Sequence, residues 1–111
     1  MKQNTLAKRA LTGLRESLAR ELRQRAPIHV ESLADPVDSL LAAIERDASL
    51  TYHHLAVTRY REVVDALERI ESGQYGICEE CEQPIARTRL RAVPYARRCR
   101  GCQERLERAA A

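Results

Sequence analysis

Aromatic residues are scarce in this chain, which has no tryptophan, no phenylalanine and only four tyrosines among 111 residues. Any core must therefore be built from aliphatic side chains, and 13 leucines and 16 alanines favour helices over sheets. Long hydrophobic runs are also lacking, and none approaches the roughly 18 residues that span a bilayer. The first 25 residues interrupt their apolar positions with charge and do not resemble a secretory signal. We therefore expect a cytoplasmic protein without a membrane segment.

Lysine is nearly absent, with two lysines against 17 arginines, and the net charge is only +3. Residues 1–34 include seven basic and three acidic residues. Residues 35–72 include four basic and eight acidic residues, and residues 73–111 include eight basic and five acidic residues. This alternation favours docking onto a shaped, charged partner over coating a nucleic-acid backbone. The sequence also lacks a phosphate-binding loop and a nucleophile–base arrangement, so we do not expect an enzyme.

The four cysteines lie in the last third of the chain, as two CxxC pairs separated by 17 residues. This is the spacing of a four-thiolate zinc site, which predicts one structural zinc ion. Four thiolates leave no open position for water, so a catalytic zinc is disfavoured. A thiol redox pair is the alternative, but no βαβ setting accompanies these cysteines. The predicted ligands are Cys78, Cys81, Cys99 and Cys102.

Two long amphipathic helices precede the cysteines. Leucines at spacings of three and four predict a helix over 2–25, and prolines indicate a connection over 26–38. A second helix is predicted from Asp35 or Pro36 to about residue 72, where Gly73 is suited to a C-cap. Two such helices joined by a short loop form an antiparallel coiled-coil hairpin. The apolar seam predicted for the second helix comprises Ala56, Tyr60, Val63, Leu67 and Ile70.

The chain is thus predicted to be mainly α, with a hairpin over 1–72 and a zinc-finger module over 73–111. The module contains little apolar surface and should depend on metal to fold. Alternation of arginine with Thr88 and Leu90 suggests a short strand over 87–91. A terminal helix should follow the second cysteine pair.

Two motifs together resemble the DksA/TraR family of bacterial transcription regulators. The first is GQYGIC-x2-C, then RLRAVP, then C-x2-CQ, which is similar to the family's C4 zinc finger. The second is DPVD at 35–38, which begins 43 residues before the first cysteine. The family carries an acidic DxxD sequence at the tip of its coiled coil at this distance. The resemblance covers about residues 35–104.

The resemblance implies that the chain binds RNA polymerase directly, with the hairpin inserted through the secondary channel and no specific DNA site. Asp35 and Asp38 are then the acidic tip near the catalytic magnesium. On physical grounds alone, Asp35 could merely cap the helix and Asp38 could merely favour its first turn. The family's alanine two residues after the second aspartate is replaced here by Leu40, a bulkier tip residue.

Family members also bind ppGpp jointly with polymerase, through basic residues that correspond here to Glu62, Val93 and Gln103. None of these can pair with phosphate as lysine or arginine would. We therefore expect a regulator without the shared ppGpp site. We also expect it to be a monomer. The other hypotheses are a nucleic-acid-binding zinc ribbon and a thiol or zinc redox sensor. Arg97, Arg98 and Arg100 could either offset the charge of the zinc site or contact a partner.

Overall fold

The structure is a computed structural model that describes residues 2–24 and 36–110, with side chains for all of these except 2, 3, 36–39 and 42. Its elements are α1 (Lys2–Gln24), α2 (Pro36–Glu71), α3 (Arg87–Ala92) and α4 (Arg100–Ala110). Within these ranges the β pairing is limited to one antiparallel bridge, between Ile77 and Pro84. The predicted mainly α class is confirmed.

Helices α1 and α2 form the predicted antiparallel hairpin. Lys8 near the start of α1 pairs with Glu71 at the end of α2, with Nζ and Oε1 3.2 Å apart. The predicted limits of both helices agree with the observed ones to within one residue. Gly73 follows α2 with a φ of 76°, the left-handed conformation expected of a C-cap glycine.

The core of the hairpin lies at its zinc-module end. Leu11 and Val63 are fully buried and Ala66 is nearly so. Val63 belongs to the predicted seam, whereas Ala66 does not. Partly buried aliphatic side chains surround these three, namely Leu14, Leu18, Leu67 and Ile70. Toward the other end of α2, Leu40, Leu41 and Ile44 are 62%, 54% and 56% exposed and lie outside this core.

The zinc module has a separate small core. Its buried members are Cys78, Ile85, Leu90, Ala96 and Cys102. The strand predicted over 87–91 is wrong, because these residues form the first five of helix α3. Leu90 is the single apolar residue in that alternation, and a strand with one apolar side chain has little to bury. The helical turn instead buries Leu90, whose backbone N–H bonds to the Ala86 carbonyl at 3.1 Å.

Two arginine side chains of α2 connect the hairpin to the zinc module. The Arg69 guanidinium donates to the carbonyl oxygens of Gln74 and Ile77. Arg59 stacks over the Tyr95 ring, 4.3 Å from its centroid. The module is thus fixed to the rod, and the molecule measures 59 × 32 × 20 Å. None of the described helices is long and apolar enough to cross a membrane.

Candidate metal centre and hairpin tip

The four predicted cysteine ligands converge on one point. Their sulfur atoms all lie within 4.8 Å of one another, and the Cys81 and Cys99 sulfurs are 3.8 Å apart. Tetrahedral coordination with zinc–sulfur bonds of about 2.3 Å requires sulfurs about 3.8 Å apart. The arrangement therefore fits one structural zinc ion held by four thiolates. Such a site has no open position for a substrate or a water molecule.

The first cysteine pair is formed by a tight turn with unusual backbone conformations. The Cys78 N–H donates to the Gln83 carbonyl at 2.8 Å, and the Glu82 N–H donates to the Cys78 carbonyl at 3.0 Å. Glu82 has a φ of 61°, and Gly76 just before the turn has a φ of 81°. Positive φ values allow the chain to reverse within a few residues, so both sulfurs of the pair face the same side.

The second pair lies at the start of α4. Cys99 immediately precedes the helix, Cys102 lies in its first turn, and the Gln103 N–H donates to the Cys99 carbonyl at 3.0 Å. Cys78 and Cys102 are buried, whereas Cys81 and Cys99 are partly exposed. One side of the site is therefore closed by the module core, and the other faces solvent.

Ion pairs join the two cysteine turns to each other. The Glu79 N–H donates to the Arg97 carbonyl at 2.9 Å, and Arg98 Nη2 lies 2.7 Å from Glu79 Oε1. Arg98 also lies 3.6 Å from Glu80, measured from Nε to Oε1. These contacts hold the ligand pairs at the distance that a shared metal requires.

The metal-free thiols differ in their tendency to ionise. Burial raises the pKa of Cys78, but hydrogen bonds from the backbone N–H groups of Cys81, Cys99 and Glu80 outweigh burial and lower it to about 6. The backbone N–H of Cys102 is the main cause of a lowered pKa at Cys99. The turns are thus arranged to stabilise thiolates, the form that binds metal.

Cys102 shows the opposite shift. Its contact with the Cys99 side chain, followed by burial, raises the pKa of Cys102 to about 12, and Arg105 opposes this rise. Four negative sulfurs cannot stay this close without a cation between them. Zinc supplies that cation, and its binding must therefore release a proton.

The residues predicted at the tip are only partly described. Asp35 lies outside the described residues. Asp38 belongs to the first turn of α2, and its side chain is not described. Leu40 is 62% exposed on the same helix. The tip therefore stays a prediction.

The three positions at which the sequence predicts no ppGpp contact lie in different parts of the chain. Glu62 is on α2, Val93 follows α3 and Gln103 is on α4. All three are partly buried, and the Gln103 amide donates to Glu107 Oε1 at 3.1 Å.

Arginines around the second pair are engaged within the chain. Arg97 Nε lies 3.6 Å from Glu79, and Arg100 Nε lies 3.1 Å from Glu104. With the pairing of Arg98 described above, each arginine of the predicted basic cluster has an acidic partner. These partners are carboxylates and not the cysteine thiolates, so both interpretations of the cluster stay predictions.

Sequence reasoning missed a group that contacts a predicted ligand directly. Arg105 Nη2 lies 3.1 Å from the Cys102 sulfur. The available signal was the i, i+3 spacing of these residues on a helix, which places both on one face.

Comparison with known proteins gives a consistent assignment. Residues 73–108 match the profile of the prokaryotic dksA/traR C4-type zinc finger. The RNA polymerase-binding transcription factor DksA of Caulobacter vibrioides is 33% identical over 104 residues, which cover 91% of this chain and 73% of that protein. An uncharacterized protein of Aquifex aeolicus is 46% identical over 55 residues, 50% of this chain but only 38% of its own length.

The fold is also similar to that of a solved relative. The structure of transcription factor DksA2 from Pseudomonas aeruginosa superimposes with a TM-score of 0.75 at 28% identity, covering 99% of this chain and 87% of that one. Hairpin, zinc site and terminal helix are thus accounted for by one group of proteins. This chain belongs to the DksA/TraR family of C4-type zinc finger proteins.

Proposed function

We propose that this chain is a transcription regulator that binds bacterial RNA polymerase directly and acts without catalysing a reaction itself. The observation that carries the proposal is the combination of a rod-like hairpin with a closed C4 metal site at its base. A relative that aligns with 91% of this chain is named for binding RNA polymerase. The chain is proposed to act as two parts, the hairpin over 1–72 and the zinc module over 73–111.

The shape of the hairpin suits insertion into a narrow channel. Helix α2 has 36 residues, which corresponds to a length of about 54 Å. Two packed helices form a slender rod, and the Arg69 and Arg59 contacts fix it to the zinc module. We propose that the zinc end stays outside the polymerase while the hairpin enters the secondary channel.

The acidic tip is the proposed effector. Asp35 and Asp38 would bring two carboxylates close to the catalytic magnesium, where they could contact basic groups or alter the metal's surroundings. Leu40 adds an exposed apolar side chain next to them. We propose that these three residues determine how strongly transcription initiation responds.

The response is proposed to be independent of ppGpp. Glu62, Val93 and Gln103 stand at the positions where the family's basic residues would contact the alarmone. A carboxylate, an aliphatic chain and an amide lack the positive charge that phosphate recognition requires.

The decisive experiment combines cross-linking with transcription. A photoreactive residue at Ser39, next to the tip, should cross-link the zinc-loaded chain to the catalytic centre of purified bacterial RNA polymerase. Asp38→Asn should bind polymerase normally but lose the effect on initiation, because it removes one tip charge. Asp47→Asn is the matched control, since it removes an exposed carboxylate from the same helix farther from the tip.

A capping role is separated from an effector role by Asp35→Asn. Asparagine caps helices about as well as aspartate, so this change should leave the thermal midpoint unchanged while it reduces regulation.

Transcription should respond equally with and without ppGpp. Absence of polymerase binding by the folded, zinc-loaded chain would overturn the proposal.

A further inference from the structure

Arg105 contacts the sulfur of Cys102, although Arg105 is not itself a predicted zinc ligand. They lie three residues apart on α4 and therefore share one face of that helix. Arg105 Nη2 is 3.1 Å from the Cys102 sulfur, within reach of an N–H···S hydrogen bond. The backbone of Arg105 belongs to a regular helix, so the contact is made by the side chain reaching back toward the first turn.

We propose that Arg105 is an outer-shell residue of the zinc site, which stabilises the bound ion by donating a hydrogen bond to the Cys102 thiolate. Four thiolates around one Zn²⁺ leave a net charge of about −2 on the site. A guanidinium is always positively charged and offers several donors, so it can neutralise part of that charge. Arg105 thus acts on the metal through its ligand.

The burial of Cys102 makes this contact effective. Cys102 is only 5% exposed, so water has little access to its sulfur. A charged donor interacts more strongly with a thiolate in such surroundings than in open solvent. The protein groups that donate to this sulfur therefore determine how well it holds the metal.

The position of Arg105 also affects access to the site. A depression of about 430 Å³ beside the site is lined by Glu80, Cys81, Cys102, Arg105 and Leu106. A competing chelator would approach the metal through this depression. Arg105 lines this depression and contacts the Cys102 sulfur, and so we expect it to slow metal loss as well as strengthen binding.

The test compares three full-length variants. Arg105→Leu removes the donors, and Arg105→Lys retains a positive charge. Arg108→Leu is the matched control, because it removes an equal charge from the same helix, and Arg108 contacts Glu104 at 3.8 Å. Two quantities are measured, the zinc affinity by chelator competition and the sulfur-to-metal charge-transfer absorption of the Co²⁺-loaded protein.

We expect Arg105→Leu to weaken zinc binding about 10-fold, the lower end of typical outer-shell effects. Its Co²⁺ charge-transfer band should shift, because loss of a hydrogen bond changes the electron density on the Cys102 sulfur. Arg105→Lys should fall between this variant and the wild type, and Arg108→Leu should match the wild type in both measurements.

Unchanged zinc affinity in Arg105→Leu would overturn the proposal. So would an unchanged Co²⁺ spectrum, since weaker binding without a spectral shift would mean that Arg105 merely stabilises α4. Neither measurement involves RNA polymerase, and so the outcome does not depend on the proposed function.

Discussion

Tyr75 connects the two parts of the molecule through a single side chain. Its ring packs against both the hairpin core and the zinc-module core. Its hydroxyl donates to the Pro94 carbonyl at 2.9 Å, across the module. Burial raises the pKa of Tyr75 above its ordinary value of 10.0 and so further favours the protonated hydroxyl that donates this bond. The residue therefore contributes both apolar contact and a directional bond.

Tyr75→Phe should separate these contributions. Phenylalanine retains the ring but leaves the Pro94 carbonyl without this donor, which should lower the free energy of unfolding by about 1 kcal/mol. Urea unfolding of the zinc-loaded protein measures the change. Tyr60→Phe is the control, because Tyr60 is half-buried and its hydroxyl has no hydrogen-bond partner in the described part of the chain. Equal losses in both variants would contradict the role assigned to the Pro94 bond.

At this scale the sequence predicts local chemistry better than long-range contacts. The zinc ligands could be predicted, because each CxxC pair forms its own turn and four thiolates need a metal. The Arg105 contact and the Tyr75 bond could not, because their geometry depends on how the finished turns and helices meet. Ala66 was missed for a related reason, since a small side chain is buried only where the partner helix approaches closely.

Helix packing determines the stability of the hairpin. Leu11 on α1 is fully buried, with 0% of its surface accessible to water. Leu6, a turn and a half earlier on the same helix, is 66% exposed. The same leucine-to-alanine substitution can therefore be compared at a buried and at an exposed position of one helix.

Leu11→Ala should destabilise the protein by about 2–5 kcal/mol, the range for a buried leucine that leaves a cavity. Leu6→Ala should change the free energy of unfolding by less than about 0.5 kcal/mol. Urea unfolding followed by helical circular dichroism provides both values. A large loss at Leu6, or a negligible one at Leu11, would mean that the helices pack through a different face.

Gly76 has a positive φ, whereas Gly13 lies within helix α1, so substitution by alanine should have opposite effects at the two positions. Gly76→Ala should destabilise the zinc module by about 1 kcal/mol, because alanine is strained at its φ of 81°. Gly13→Ala should instead stabilise α1 by about 0.5–1 kcal/mol, since no atom lies within 4 Å of the added methyl group. Thermal unfolding of the two zinc-loaded variants should thus shift in opposite directions. Shifts of the same sign would contradict this assignment.

Helices were predicted correctly where the apolar pattern extends over many residues, and the prediction was wrong where the helix is short. Helices α1 and α2 extend over 23 and 36 residues, so their leucine and valine spacings specify one face repeatedly. Helix α3 has six residues and one buried side chain, Leu90. Arginines at every second position of this segment resemble the alternation of a strand. Leu90 packs into the module core from a helical turn, which only the folded module shows.

The molecule as a whole has two cores, one in the hairpin without metal ligands and one in the zinc module that contains two of them. The buried core of the hairpin, Leu11, Val63 and Ala66, belongs entirely to α1 and α2. Two of the five buried residues in the zinc-module core, Cys78 and Cys102, are themselves metal ligands. Loss of zinc therefore removes the charge balance from the centre of the second core but leaves the first core in place. Tyr75 and Tyr95 are the module side chains that the hairpin core would lose.

Zinc removal should consequently unfold one end of the protein. Helices α3 and α4 contain 17 of the 76 helical residues, so excess chelator at low temperature should reduce helical circular dichroism by roughly a fifth. The remaining signal should melt at a lower temperature than in the zinc-loaded protein, because Tyr75 and Tyr95 no longer cover the hairpin core. Added zinc should restore both the signal and the melting temperature. Loss of most of the signal on chelation would instead mean that the hairpin cannot persist without the module, and that metal occupancy controls the entire rod.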